Sequence, residues 1–209
     1  IVDGTTSTSY SIVLSPPGVD RIFLHSPGAN DTFDAEDVDY ELVAAASLFH
    51  FGYPPVMRRM FQDDGAQLEE TFRRAKLEGV TTSLDMALPD PEAEAGRVDW
   101  LAVLGRVLPY VDLFLPSFEE ILYMLRRKTY EESHQRSSGA DLAGHVTPAL
   151  VSDVGEELLD LGATVVGLKL GDRGLYVRTG GVARIQRLGQ ACPTDVGVWA
   201  DKELWVPCF

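Results

Sequence analysis

Val111-Asp-Leu-Phe-Leu-Pro-Ser-Phe-Glu-Glu-Ile-Leu122 decides the fold. Val111 to Leu115 reads as a buried strand, and Pro116 ends it because proline has no N–H to give to a ladder. Ser117 stands where a helix starts, with Glu120 three residues later. Phe118, Ile121, Leu122 and Leu125 then recur at helical spacing. A strand that passes directly into a helix is half of a βαβ unit. Polar groups at the C-terminal end of such a strand lie where α/β sheets bind their ligands.

The same alternation extends in both directions. Upstream, a helix through Val43 and Ala46 leads into the apolar run Ala46 to Phe51, which Gly52 and Pro54 stop. Leu68, Phe72 and Ala75 mark the inner face of the next helix, and Gly79 sits where a C-cap glycine belongs. Val80 to Asp85 reads as a strand, and Trp100, Val103, Leu104 and Val107 as a helix face. Downstream, residues 128 to 146 are polar and Gly/Ser-containing, the composition of a surface excursion. Thr147-Pro148 is an N-cap and first-turn pair. It opens a helix carrying Val151, Val154, Leu158 and Leu161, which Gly162 ends before the strand Thr164 to Leu170. Apolar strands alternating with helices predict a mainly parallel sheet covered on both faces.

The two ends read differently. Ser7 to Leu14 and Arg21 to His25 are β-rich runs around Ser15-Pro-Pro-Gly18, where Pro17-Gly18 suits the centre of a tight turn. That hairpin is too small to be stable alone. From Leu175 the pattern is of short strands, Gly180-Gly181 as a turn, and an irregular segment up to Phe209. The expected organisation is a β element over residues 1–30 and an α/β core over residues 31–209.

Composition narrows the functional classes. The 209 residues are 45% hydrophobic and 24% charged, with a net charge of −14. That balance is ordinary for a globular protein and speaks against a nucleic-acid footprint or attraction to an anionic membrane. No apolar run reaches the roughly 18 residues of a membrane helix. Two cysteines, Cys192 and Cys208, lack metal or redox spacing and read as reduced thiols of a cytoplasmic protein. The four histidines are scattered, with no H-x-x-x-H pair.

Three places can carry chemistry. Ser117 and Glu120 form a Ser-x-x-Glu capping box, which satisfies two orphan helix amides. The same helix start can hold water or a metal near a phosphate, and the two roles are compatible. Asp85 ends its strand, either as a turn residue or as a binder of polar substrate or metal-bound water. Lys169-Leu-Gly-Asp-Arg-Gly174 is either a plain hairpin turn or a glycine turn that lets backbone approach a nucleotide. No Walker loop, no helix-opening G-x-G-x-x-G and no G-x-S-x-G elbow is present, which disfavours a dehydrogenase and an α/β-hydrolase.

In this order and spacing the pieces resemble the ribokinase-like (PfkB-type) carbohydrate kinase family. The resemblance runs through the hairpin, Pro27-Gly-Ala-Asn30, Leu48-Phe-His-Phe-Gly-Tyr-Pro-Pro55, the strand ending in Asp85, Leu115-Pro-Ser-Phe-Glu-Glu120 and Val166 to Leu175. It implies a three-layer α/β/α core, a β lid over a sugar, and Mg2+-dependent transfer of the ATP γ-phosphoryl to a sugar hydroxyl. Glu120 then matches the acidic member of the family's Asn-x-x-Glu motif, ordering magnesium through water, and Ser117 replaces the Asn. Ser117, Lys169, Gly171, Asp172 and Gly174 fall on the nucleotide side. Asn30, Gly52, Tyr53 and Asp85 fall on the substrate side.

The resemblance also implies an N-terminal strand before Ile1 and a Gly-Ala-Gly-Asp-like loop after Phe209. That loop would carry the anion hole and the catalytic base, and no Gly-x-Gly-Asp occurs in the sequence. The expectation is therefore the central portion of a sugar kinase, truncated at both ends and inactive alone. Three alternatives stay open: a nucleoside or pyrimidine kinase, a catalytically silent nucleotide- or partner-binding protein of the same fold, and an unrelated doubly wound domain. A homodimer through the lid is a further implication of the resemblance.

Overall fold

Alternating apolar residues around a Pro17-Gly18 turn fold the N-terminal stretch into a hairpin of β1 (Tyr10–Leu14) and β2 (Ile22–Ser26). The computed structural model describes residues 4–18, 21–136 and 146–208. Ile12 pairs with Leu24 and Val13 with Phe23, so both faces of the ribbon are apolar. All four side chains are exposed, at 47–57% of their full area. Two strands without a covering layer cannot bury such residues, as expected of an isolated ribbon.

Fifteen further helices and strands follow among the described residues. They run α1 (Tyr40–Ala44), β3 (Leu48–Gly52), α2 (Arg58–Phe61), α3 (Ala66–Leu77), β4 (Thr81–Asp85), α4 (Trp100–Val107), β5 (Leu113–Phe114), α5 (Phe118–Leu125), α6 (Arg127–Arg136) and α7 (Pro148–Asp160). Then come β6 (Val165–Lys169), β7 (Leu175–Thr179), α8 (Val182–Ile185), α9 (Val196–Trp199) and β8 (Glu203–Val206). Six strands make one sheet in the order β3-β4-β5-β6-β7-β8. The first four are parallel, and β7 and β8 are antiparallel additions.

The pleat of β5 and β6 divides the two faces. Phe114 and Val166 point into the main core with Phe72, Leu104, Ile121 and Leu158 from the helices. Leu113 and Val165 point the other way, onto Ile185, Leu188 and Ala200 in and around α8 and α9. Helices therefore lie on both sides of a mainly parallel sheet, the three-layer α/β/α arrangement the sequence predicts. Each fully buried Leu or Phe stabilises this core by roughly 1.5–3 kcal/mol.

An ion pair pins the N-terminal edge of the parallel strands. Asp112, its side chain only 3% exposed, precedes β5 and pairs with Lys76 of α3. One Asp112 oxygen also accepts from the Thr82 amide at 3.0 Å, and Lys76 Nζ donates to the Arg187 carbonyl at 3.0 Å. The pair thus joins a helix, two strands and the segment after α8.

Several sequence expectations need correction. Residues 127–136 are helix α6 rather than excursion, because Tyr130 and Ser133 are buried against the core side; residues 137–145 lie outside the described residues. The expected strand Val111 to Leu115 is shorter in the ladder, Leu113–Phe114 only. Helix α1 stops at Ala44 instead of reaching Ala46. Gly180-Gly181, expected as a turn, instead leads from β7 straight into α8: Gly180 donates to the Thr164 carbonyl, and Gly181 is the α8 N-cap. The tail counted as irregular contains α8, α9 and the edge strand β8, whose Leu204, Trp205 and Val206 are each more than 40% exposed.

Candidate functional site

Four consecutive parallel strands deliver polar residues to one edge of the sheet. β3 ends at Gly52, whose register partner is Asp85 at the end of β4. After β5, Pro116 gives no amide, but its carbonyl accepts from Lys169 N of β6 at 3.0 Å. This bridge sets Ser117 directly beside Lys169. Gly52, Asp85, Ser117 and Lys169 therefore share the C-terminal edge, where open α/β sheets bind ligands.

The helix that follows starts on this edge. Ser117 Oγ accepts from the Glu120 amide at 3.2 Å, and Glu120 Oε2 accepts from the Ser117 amide at 2.7 Å. Both halves of the capping box form, as the Ser-x-x-Glu spacing predicts. Burial raises the Glu120 carboxyl above its ordinary range, against the lowering pull of the Ser117 hydrogen bonds and of Lys169. Asp85 pushes it further up. Glu120 is thus held locally while sensing the charges of both neighbouring strands.

Asp85 and Lys169 meet across the strand between them. Lys169 Nζ lies 2.9 and 2.8 Å from the two oxygens of Asp85. The Lys169 side chain is 47% exposed and the Asp85 side chain 15%. Asp85 Oδ1 also accepts from the Met86 amide at 2.8 Å, which fixes the carboxylate plane. Sequence reasoning placed these two residues on different sides of a site; the structure brings them into contact.

Tyr53 continues from Gly52 with its amide donated to the Asp85 carbonyl at 3.2 Å. Its φ of 66° is in the left-handed region, and its side chain is exposed. A tyrosine there stores strain of order 1 kcal/mol, and such strain recurs at binding sites. Asn30 lies half-buried on the one-turn helix Gly28–Asp31 that follows the hairpin. That turn is tied to this end of the sheet by Asp31, which accepts from the Arg58 amide at 3.1 Å. The hairpin is thus rooted on the side of the molecule where β3 ends.

The glycine turn divides into two parts. Gly171, with φ of 61°, has open space where a Cβ would stand, and Asp172 beside it is exposed. Gly174 is required by the protein itself: a Cβ there would lie 2.0 Å from the Val206 carbonyl of β8. Its amide donates to the Gly171 carbonyl, so the expected exposed amide at Gly174 is not available. Gly171 and Asp172 remain the part of the turn open to a ligand.

Asp85 and Glu120 supply the hard carboxylate oxygens that Mg2+ prefers. Among the described residues no group of three or more His, Cys, Asp and Glu is placed to hold a metal. Mg2+ keeps several of its waters and needs only one or two carboxylates from a protein, a demand that these residues meet in kind. Among the described residues no helix is long and apolar enough to cross a membrane.

No family model matches the chain, and no curated protein sequence matches it. Solved structures do. Ribokinase from Giardia lamblia superposes with a TM-score of 0.61 at 15% identity, over 100% of this chain and 49% of that one. Ribokinase from Arabidopsis thaliana, complexed with ribose and ATP, gives 0.52 at 16% identity over 84% of this chain and 46% of that one. An E. coli protein described as a ribokinase II, in complex with ATP and Mg2+, gives 0.58 at 18% identity over 98% and 51%. The chain spans about half the length of these structures. Strand order, the N-terminal two-stranded hairpin and these superpositions together establish that the chain has a ribokinase-like fold.

Proposed function

We propose that this chain forms the nucleotide- and sugar-facing core of an ATP-dependent carbohydrate kinase. One observation carries the reading: residues from the ends of β3, β4, β5 and β6 converge on one sheet edge as Tyr53, Asp85, Ser117–Glu120 and Lys169. Similar folds bind ribose, ATP and Mg2+ in the complexes named above.

Each residue has a role that follows from its place. Gly171 and Asp172 offer an open turn for the nucleotide. Lys169 supplies positive charge to its phosphates. Asn30, Gly52 and Tyr53 face the sugar, with the exposed Tyr53 ring as an apolar platform beside polar neighbours. Glu120 and Asp85 would hold Mg2+, in part through water, and the bound metal would supply charge neutralisation at the transferring phosphoryl group. Phosphoryl transfer depends on positioning and charge stabilisation. A half-length share of the fold with no Gly-x-Gly-Asp sequence is therefore proposed to be inactive on its own.

A second reading is a nucleotide-binding protein without turnover. The Ser117 hydroxyl is engaged by the Glu120 amide, which favours a role in the cap over one in catalysis. Assaying sugar-dependent ATP consumption separates the two. The kinase reading expects turnover in the complete natural protein and none in residues 1–209. Nucleotide binding without turnover in the complete protein would support the second reading, and the absence of both would overturn the two together.

A further inference from the structure

The Lys169–Asp85 pair shares with Lys76–Asp112 two carboxylate oxygens facing one ammonium, but it lacks the third partner that the Arg187 carbonyl gives Lys76. Both Asp85 oxygens face one ammonium, at 2.9 and 2.8 Å, although the lysine is nearly half exposed. The Lys169 ammonium has no hydrogen-bond partner besides Asp85 among the described residues, whereas it has three donors to give. The Asp85 carboxylate is held in place by the Met86 amide; the Lys169 ammonium is held only by Asp85 among the described residues. The pair joins a fixed carboxylate to a long, flexible cation at the mouth of the ligand edge.

We infer that Lys169 is an exchangeable counter-ion: it neutralises Asp85 until a divalent cation takes that carboxylate, and it then swings to a phosphate group of the nucleotide. The inference rests on the kinase reading and deepens it. A lysine is suited to this exchange because its charge is compact and its four-carbon stem rotates freely. The lysine parts readily, since its side chain is nearly half exposed and water can solvate the freed ammonium. Nearby Glu120 gains from either cation, so the edge keeps a positive neighbour before and after the exchange. The arrangement couples the metal to the phosphate: each ligand removes the competitor of the other, which is positive linkage between two binding events.

Calorimetric titrations of residues 1–209 with MgCl2 alone, with ATP alone and with both test the exchange directly. Lys169→Met removes the internal competitor and keeps the apolar stem. It is expected to tighten Mg2+ binding in the absence of nucleotide by about fivefold. The same variant is expected to weaken ATP binding in the presence of Mg2+ by about tenfold. Asp85→Asn keeps the shape of the side chain and its bond to the Met86 amide while freeing Lys169. It is expected to tighten metal-free ATP binding and to abolish the effect of Mg2+ on ATP affinity. Unchanged or weaker Mg2+ binding by Lys169→Met, with ATP still bound, would overturn the exchange and leave the kinase reading standing. A wild-type chain that binds neither Mg2+ nor ATP would overturn both.

Discussion

Two lysine–aspartate pairs lie at opposite edges of the same parallel strands. Lys76–Asp112 sits at the N-terminal edge, with Asp112 buried and further bonded to Thr82, and Lys76 further bonded to Arg187. Lys169–Asp85 sits at the C-terminal edge, with the lysine half exposed and committed to one partner. The chemistry is the same, but the saturation differs. A buried, multiply bonded pair locks elements together, and losing one partner leaves a charge without compensation. An open pair costs little to separate and is available for exchange. The fold thus spends one pair on architecture and keeps the other at the edge where parallel sheets bind ligands.

The same substitution at both lysines breaks this comparison most directly. Lys76→Met leaves the Asp112 carboxylate buried without its cation and is expected to cost about 3 kcal/mol of unfolding free energy. Urea denaturation measures it, and a cost below that of Lys169→Met would show that the contrast is wrong. Next in size, Ser117→Ala removes an N-cap and is expected to cost about 1 kcal/mol. Its effect on ATP affinity should exceed what stability alone explains if the helix start faces the nucleotide. Lys169→Met should cost less than Lys76→Met in the same assay, because the Lys169 end of its pair is nearly half exposed.

The smallest effect concerns pH. The Glu120 carboxyl is raised chiefly by burial, so the folded state holds this proton more tightly than the unfolded chain. Its contribution to stability is present below the ordinary glutamate value and falls as pH rises through the higher folded value. Glu120→Gln keeps the capping box, which accepts either residue. The variant should flatten that part of the stability–pH curve, measured as urea midpoints between about pH 4 and 7. A curve identical to wild type would remove Glu120 as a strained carboxylate.

What could be read beforehand follows from how local each feature is. The capping box needs only residues 117 to 120, and both its bonds form. Strand ends at Gly52 and Asp85 are marked by a glycine and by the break before Met86-Ala-Leu-Pro, so the sheet edge was legible. Asp85 and Lys169 are 84 residues apart, and their contact depends on strand order, which no local pattern encodes. Helix α6 was hidden by its polarity, since Tyr130 carries most of the apolar burial in Arg127–Arg136. β8 was hidden for a different reason: its register is set by β7, and the tight approach that Gly174 permits is a tertiary contact.

A C-terminal edge that binds ligand and an N-terminal edge that is purely structural should respond differently to Mg-ATP. Backbone amide NMR during a titration of residues 1–209 with Mg-ATP tests that contrast residue by residue. Shifts are expected at Asp85, Met86, Ser117, Glu120, Lys169, Gly171 and Asp172, with Lys76, Thr82 and Asp112 unmoved. Shifts concentrated at Lys76, Thr82 and Asp112, or none at the C-terminal edge at saturating ligand, would contradict it.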